Sequence, residues 1–184
     1  MDAAWERFVL YGFGKTTMAE IAQDCGMSAA NLYRFFVSKQ DIGAALASRC
    51  MAEKEQRLQV VVDMPGMSSA KCLYLFALTI FDCMHTQCMG MPRINELIES
   101  VSMERPDIVN QHMQITHKFI SKIVSRGKRN QEFAVKNVAR TASAIQAALI
   151  IFTISHAVHL YTRKEFEVLA RDVVDLVVRG IAKR

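Results

Sequence analysis

Apolar residues recur every three to four positions along almost the whole chain, the spacing that places side chains on one face of an α-helix. Only three prolines and eight glycines interrupt the 184 residues, and most of them lie between the periodic stretches. Strict alternation of apolar and polar residues, which is typical of a half-buried strand, is scarce. With 51% hydrophobic residues the chain can bury a sizeable core. The sequence therefore predicts an all-α protein.

Helix start signals divide this pattern into segments. Thr17, Ser38 and Thr162 are each followed three residues later by an acidic residue, which is the form of a capping box. Pro92 and Pro106 suit the first turn of a helix, where the missing amide hydrogen costs nothing. The predicted helices lie at about 2–12, 16–24, 28–35, 39–61, 68–88, 92–103, 106–128, 137–160 and 163–182.

The chain divides into two predicted domains. We expect an N-terminal domain over residues 1–50 and a second domain over residues 51–184. The boundary falls inside the long helix that begins at Lys39, before the break at Asp63-Met-Pro-Gly. That helix would belong to both domains and couple them mechanically.

Composition excludes several classes of protein. No uninterrupted apolar stretch approaches the roughly 20 residues of a membrane span, and the first residues lack the basic and apolar pattern of a secretory signal. Five cysteines at irregular spacings favour reduced thiols over a disulfide framework. We therefore expect a cytoplasmic protein that has no membrane partner.

The net charge of +5 does not by itself indicate nucleic-acid binding. Residues 1–58 contain seven basic and seven acidic side chains, so the whole excess lies further along the chain. Any binding of DNA by the N-terminal part must depend on a few well-placed contacts.

Residues 16–42 have the pattern of a helix-turn-helix motif, in which two short helices meet at Cys25-Gly26-Met27. Gly26 can adopt the left-handed backbone conformation of a tight turn, and Ser28 can cap the following helix. The spacing of Leu32, Phe35 and Phe36 assigns all three to one apolar face, packed in the core together with Trp5.

The opposite face of the second helix can contact DNA. Small Ala29 and Ala30 allow the backbone to approach base edges. Arg34 can bond guanine, Asn31 can bond adenine, and the Tyr33 hydroxyl can bond a phosphate.

This segment resembles the TetR family of bacterial transcriptional regulators. The matching residues are Gly12-Phe13, Thr16-Thr17, Ile21-Ala22, Gly26, Ser28, Leu32-Tyr33, Phe36, Ser38-Lys39 and Ile42. The resemblance implies phosphate contacts by Thr17, Tyr33 and Lys39. Under the same resemblance, the major groove is faced by Ala29, Ala30, Asn31 and Arg34. It also implies a helical ligand-binding and dimerisation domain. The predicted DNA-binding set is Thr17, Ser28, Ala29, Ala30, Asn31, Tyr33, Arg34 and Lys39.

Aromatic and methionine residues in the second part suit a pocket that adapts to a small ligand. The predicted lining consists of Phe76, Ile80, His85, Met89, Met103, Met113, Phe152 and His156. Core packing is the alternative interpretation of each methionine. The apolar character of the set favours an apolar or aromatic effector.

The last helix, over about 163–182, carries more apolar surface than the single face that a terminal helix of a monomer must bury. We therefore expect a homodimer in which it forms a four-helix bundle with the helix at 137–160. Dimerisation also fits the short recognition helix, because two copies related by a two-fold axis read both halves of a palindrome.

Other chemistries have weaker support. Cys83, His85 and Cys88 could sense a metal or the redox state, but Cys83 and Cys88 diverge on a helix by about 140°. Glycine-rich phosphate loops and nucleophile elbows are absent from the sequence, so we expect neither an enzyme nor a cofactor. The sequence predicts a repressor that a small hydrophobic ligand releases from a palindromic operator in double-stranded DNA. The alternative is a helical small-molecule or thiol/metal-sensing interaction protein that does not bind DNA.

Overall fold

A computed structural model describes residues 1–183, and the predicted all-α class is confirmed. The only β-structure in these residues is an isolated antiparallel bridge between Phe133 and Ala182. The α-helices are α1 (Asp2–Tyr11), α2 (Met18–Asp24), α3 (Ala29–Leu32), α4 (Lys39–Asp63), α5 (Ser69–Gly90), α6 (Pro92–Glu104), α7 (Pro106–Arg129), α8 (Val138–Ala148), α9 (Ser155–Val158) and α10 (Arg163–Ile181).

Local signals in the sequence explain where several of these helices begin. Complete capping boxes start α2 at Thr17 and α10 at Thr162, as the sequence predicts. Ser28 caps α3, since its side chain accepts a hydrogen bond from the Asn31 amide. Pro92 is the first residue of α6, where its fixed φ suits the first turn.

The predicted continuous helix over 137–160 is wrong. α8 ends at Ala148, the chain forms a 3₁₀-helix over Ile150–Thr153, and a separate short helix, α9, follows. Several β-branched residues fall in this stretch, and they lose side-chain freedom in an α-helix. The Thr153 hydroxyl also donates to the Ile150 carbonyl, which favours the tighter turn.

The assignment of Phe35 to the core is also wrong. α3 ends at Leu32, and residues 33–35 form a turn, so helical spacing does not continue to Phe35. Phe35 is 69% exposed, whereas Leu32 is buried and Phe36 packs against the core.

The structure forms two compact units. Unit 1 comprises Met1–Ala52 and Gln87–Gln111, and unit 2 comprises Glu53–Thr86 and the residues from His112 onward. Helices α4, α5 and α7 therefore each contribute residues to both units. The predicted domain boundary between residues 50 and 51 remains a prediction.

The core of unit 1 is formed by α1, α2, α3, α4 and α6. Its buried residues are Ala4, Phe8, Met18, Ile21, Ala22, Leu32, Ile42, Ala44, Leu46, Ala47, Ile94, Leu97 and Val101. Gly43 allows close packing at its centre, because a Cβ there would lie 3.1 Å from atoms of Leu97 and Phe13. α6 thus completes the hydrophobic support of the helix-turn-helix.

Aromatic rings organise the core of unit 2. The ring of Phe166 on α10 lies 5.1 Å from that of Phe152 and 5.3 Å from that of Phe81, between ring centroids. α5 is long and apolar enough to span a membrane by length and composition alone. Its residues Phe76 and Ile80 are buried within unit 2, and a core helix of a soluble protein meets the same criteria.

Gly127 on α7 should not tolerate alanine. A Cβ at this position would lie 2.2 Å from the buried Phe133 ring, so the ring must move. We expect Gly127→Ala to lower the free energy of unfolding by about 1–3 kcal/mol, despite the better helix propensity of alanine. Urea denaturation measures the change.

Gly180 on α10 provides the matched control, since nothing lies within 4 Å of a Cβ there. Gly180→Ala should raise stability by about 0.5–1 kcal/mol through helix propensity alone. Equal effects of the two substitutions would contradict the packing argument.

Candidate nucleic-acid interface

The turn between α2 and α3 sets the direction of the recognition helix. Gly26 has a φ of 65°, the left-handed conformation that the sequence predicts for it. The Met27 amide donates to the Ala22 carbonyl over 2.9 Å and closes the turn. Buried Leu32 and half-buried Ala29 attach α3 to the core of unit 1.

The remaining residues of the segment present polar groups to solvent. Ala30 and Arg34 are exposed, Tyr33 is 52% exposed and Asn31 is half-buried. Tyr33 and Arg34 are therefore exposed directly after the end of α3, and Ala29 and Ala30 lie at its start.

Thr17 and Ser28 act as helix caps. The Thr17 hydroxyl donates to Glu20 Oε2 over 2.8 Å and accepts from the Glu20 amide. The Thr17 hydroxyl and the Thr17 amide both donate to the Glu20 carboxylate, and these two bonds lower its pKa. Both cap residues lie at helix N-termini, where amide groups favour an anion, but each side chain already has a local partner.

Lys39 has contacts that the sequence does not predict. Its ammonium donates to the Phe13 carbonyl over 2.6 Å and to the Thr16 carbonyl over 2.7 Å. The Gly14 carbonyl lies at 3.5 Å, and the Phe13 ring centroid at 4.6 Å. Lys39 therefore links the start of α4 to the loop before α2.

An ion-pair cluster holds α1 against α2. Arg7 donates from Nε and Nη2 to the carboxylate of Asp24, and its Nη1 lies 3.3 Å from Glu20. The bond to Arg7 lowers the pKa of Asp24. This bidentate geometry orients α2 relative to α1.

Part of the predicted ligand set lies in the interior of unit 2. Phe76, Ile80 and Phe152 are buried there. His85 on α5 is half-buried, packs edge-on against Phe81 at 5.7 Å, and lies 3.4 Å from Arg163 Nη1.

The other predicted lining residues are dispersed. Met113 is half-buried in unit 2, and its carbonyl accepts from Gln146 Nε2 over 2.9 Å. His156 is exposed on α9. Met89 and Met103 belong to unit 1, and Met103 is 86% exposed. The structure therefore does not gather the eight residues into one group.

No group of three or more potential metal-binding side chains occurs among residues 1–183. Cys83 and His85 belong to unit 2, whereas Cys88 belongs to unit 1. Burial raises the pKa of the Cys83 thiol, against the opposing effect of Arg57. A raised pKa disfavours the thiolate that a redox-sensing cysteine needs.

A buried polar contact joins α4 and α7 inside unit 2. His112 Nδ1 lies 2.7 Å from Glu55 Oε1, and both side chains are largely shielded from solvent. Burial, reinforced by the nearby charge of Lys54, lowers the pKa of His112, although Glu55 opposes the shift. Since a carboxylate oxygen can only accept, His112 Nδ1 is the donor in this contact. The sequence does not predict this contact, because Glu55 and His112 lie 57 positions apart.

Acidification should weaken the fold through His112. Because its pKa is lowered in the folded state, the unfolded chain takes up the proton first as the pH falls below about 6.5. The free energy of unfolding should therefore decrease between about pH 6.5 and 5, above the range in which the carboxylates titrate. Urea denaturation across this pH series measures it.

His112→Gln should remove this part of the pH dependence. His159→Gln, at an exposed histidine, should retain it. A parallel pH profile for native protein and His112→Gln would contradict the assignment.

Comparison with protein families gives a match in each of the two parts of the chain. Residues 1–46 match the model of bacterial regulatory proteins of the tetR family. Residues 69–174 match the tetracyclin repressor-like C-terminal domain. A search of curated proteins found no match.

Solved structures share the fold along almost the whole chain. A transcriptional regulator from Cytophaga hutchinsonii has 20% identity and a TM-score of 0.72, covering 99% of this chain and 96% of its own. A TetR/AcrR-family regulator from Thermobifida fusca has 17% identity and a TM-score of 0.72, with coverages of 97% and 94%. FadR from Bacillus subtilis, crystallised with stearoyl-CoA, has 17% identity and a TM-score of 0.66, with coverages of 98% and 96%.

The fold and the helix-turn-helix together define a DNA-binding transcriptional regulator. The two family matches cover most of the sequence, and the chain belongs to the tetR family of bacterial regulatory proteins.

Proposed function

We propose that the protein is a cytoplasmic, homodimeric repressor that binds a palindromic operator and is released by a small apolar ligand. The exposure of Tyr33 and Arg34 at the end of the core-anchored helix α3 carries the DNA-binding part of the proposal. No catalytic role is included, since the family consists of transcriptional regulators.

In this proposal the recognition residues divide by task. Arg34 and Asn31 bond base edges in the major groove, which Ala29 and Ala30 allow α3 to approach. Tyr33 bonds a phosphate, and Thr17 and Ser28 bring the N-termini of α2 and α3 to the DNA backbone. Lys39 has three donor hydrogens: two make short bonds to carbonyls, and the third faces the Gly14 carbonyl at 3.5 Å, a long contact that a phosphate would replace.

Exposed apolar residues on α10 support the homodimer. Leu176 is 73% exposed, and Val168 lies eight residues earlier on the helix, also exposed. Ile150 and Ile154, just after α8, are exposed as well. These exposed side chains give α10 and the end of α8 more apolar surface than a monomer requires. The proposed partner is therefore α10 and α8 of a second copy of the chain.

The effector part of the proposal rests on the interior of unit 2. Phe76, Ile80 and Phe152 supply an apolar environment, and half-buried His85 and Met113 add a polar and a polarizable group in the same unit. The structurally similar Bacillus subtilis FadR was crystallised with stearoyl-CoA, a ligand with a long apolar chain. We propose an effector with a comparable apolar portion.

Helix α4 provides the route from ligand to DNA, because its residues belong to both units. In this proposal the dimer has two conformations, and in one of them the spacing between the recognition helices does not fit the operator. A ligand that prefers this conformation shifts the population toward it. The shift in the equilibrium cannot exceed the difference in the ligand's affinity for the two conformations.

Selection of bound duplexes from a random DNA pool tests the proposal. The native protein should enrich a palindrome, whereas the Tyr33→Ala/Lys39→Ala variant should enrich none. Circular dichroism and sedimentation establish that both proteins are folded dimers. If the folded native dimer enriches nothing at low salt, the protein is an interaction or ligand-binding protein that does not recognise DNA.

A further inference from the structure

Two large apolar side chains follow the recognition helix without joining the core. Phe35 is 69% exposed and Val37 is 82% exposed. Between them, Phe36 packs against the hydrophobic core of unit 1. Phe36 therefore contributes to packing, whereas Phe35 and Val37 remain exposed to solvent.

These residues continue the surface proposed to bind DNA. Tyr33, Arg34, Phe35 and Val37 are all exposed within five consecutive positions. Lys39, which stands two residues after Val37, is fixed by carbonyls of the loop before α2. The apolar side chains are thus flanked along the chain by the phenol, the guanidinium and the ammonium that suit a polyanion.

The chemistry of Phe35 restricts what it can contact on a duplex. A phenyl ring offers no donor for a phosphate oxygen or for an acceptor on a base edge. In helix-turn-helix proteins the N-terminal residues of the recognition helix contact base edges. Phe35 follows the C-terminal end of α3 at Leu32, away from the N-terminal residues of that helix. The apolar part of the DNA backbone is the carbon face of deoxyribose.

We propose that Phe35, together with Val37, packs against deoxyribose beside the groove and adds an apolar contact that depends on neither base sequence nor salt. This inference rests on the proposed DNA binding and extends it, because the other contacts are polar. Burying the exposed part of the ring supplies affinity without neutralising a phosphate.

The test uses Phe35→Ser in the 184-residue chain, with the selected palindrome and a random-sequence duplex of equal length as probes. Affinity for both duplexes should fall by the same factor, about 5- to 30-fold. The slope of log affinity against log salt should equal that of the native protein, since no counterion-releasing contact is lost.

Two variants control for indirect effects. Phe35→Leu keeps an apolar side chain and should stay within about threefold of native affinity. Val60→Ser, at a 64% exposed apolar position on α4, should leave DNA affinity unchanged. Thermal unfolding of Phe35→Ser should match the native protein, because the ring does not contribute to the core.

Distinct results would overturn the proposal. Unchanged affinity of Phe35→Ser would remove Phe35 from the interface, while native binding would still support the proposed function. A loss confined to the palindrome, and reproduced by replacing one thymine with deoxyuridine, would assign Phe35 to a thymine methyl instead. A change in sedimentation of Phe35→Ser would assign it to a protein contact. Native protein that binds neither duplex would refute the proposed function, and this contact with it.

Discussion

Leu176→Glu is expected to convert the protein to a monomer and to weaken binding to a palindromic operator by about 100-fold or more. Leu176 is among the most exposed large apolar residues and lies on the helix proposed for the interface. In a two-fold symmetric contact each substitution appears twice, so two carboxylates would be desolvated at one interface. A monomer has only one recognition helix, so the two half-sites of the operator must be bound by two separate protein molecules.

Sedimentation equilibrium and operator titration measure the two effects on the same preparation. Val60→Glu is the matched control, because it introduces the same charge at an exposed apolar position of α4. That variant should remain dimeric and bind the operator normally. A dimeric Leu176→Glu protein with native affinity would place the interface elsewhere.

Local sequence signals were sufficient for most helix boundaries. The capping boxes at Thr17 and Thr162 and the prolines at positions 92 and 106 act within one turn, so their effect can be read without the tertiary structure. The same local rules fail where a helix ends without a strong signal. Helical spacing predicts a helix through Phe35 and another through the β-branched stretch after α8, but in the structure both helices end earlier.

The candidate site depends on contacts between distant residues, which one sequence does not specify. Residue types alone indicated a basic and hydroxyl-bearing surface around α3. The bonds of Lys39 to carbonyls more than 20 residues away follow only from the folded structure. His112 and Glu55 are 57 residues apart and form their contact in the same way.

The predicted ligand residues show a second limit of periodicity. A helical repeat indicates which face of α5 is apolar, but not that the helix contributes to two units. Phe76 and Met89 lie on this one helix, yet they belong to unit 2 and unit 1 respectively. A long helix can therefore place similar apolar residues in different units.

Lys39→Met is expected to reduce both stability and DNA affinity. Loss of the ammonium leaves the Phe13 and Thr16 carbonyls without this donor, and hydrogen bonds to charged groups contribute about 1.5–3 kcal/mol. The free energy of unfolding should fall by about that amount. Affinity for operator and random duplexes should fall together, and the salt slope should decrease by about 1 for each subunit.

Comparison with Arg34→Ala separates a phosphate contact from a base contact. That variant should lose about 1–3 kcal/mol on the operator, relax the preference at one base position, and retain affinity for random DNA. Arg34 is exposed, so its removal should leave the unfolding transition unchanged. If Lys39→Met loses stability but keeps the native salt slope, Lys39 acts on DNA binding only by holding the loop between α1 and α2 against the start of α4.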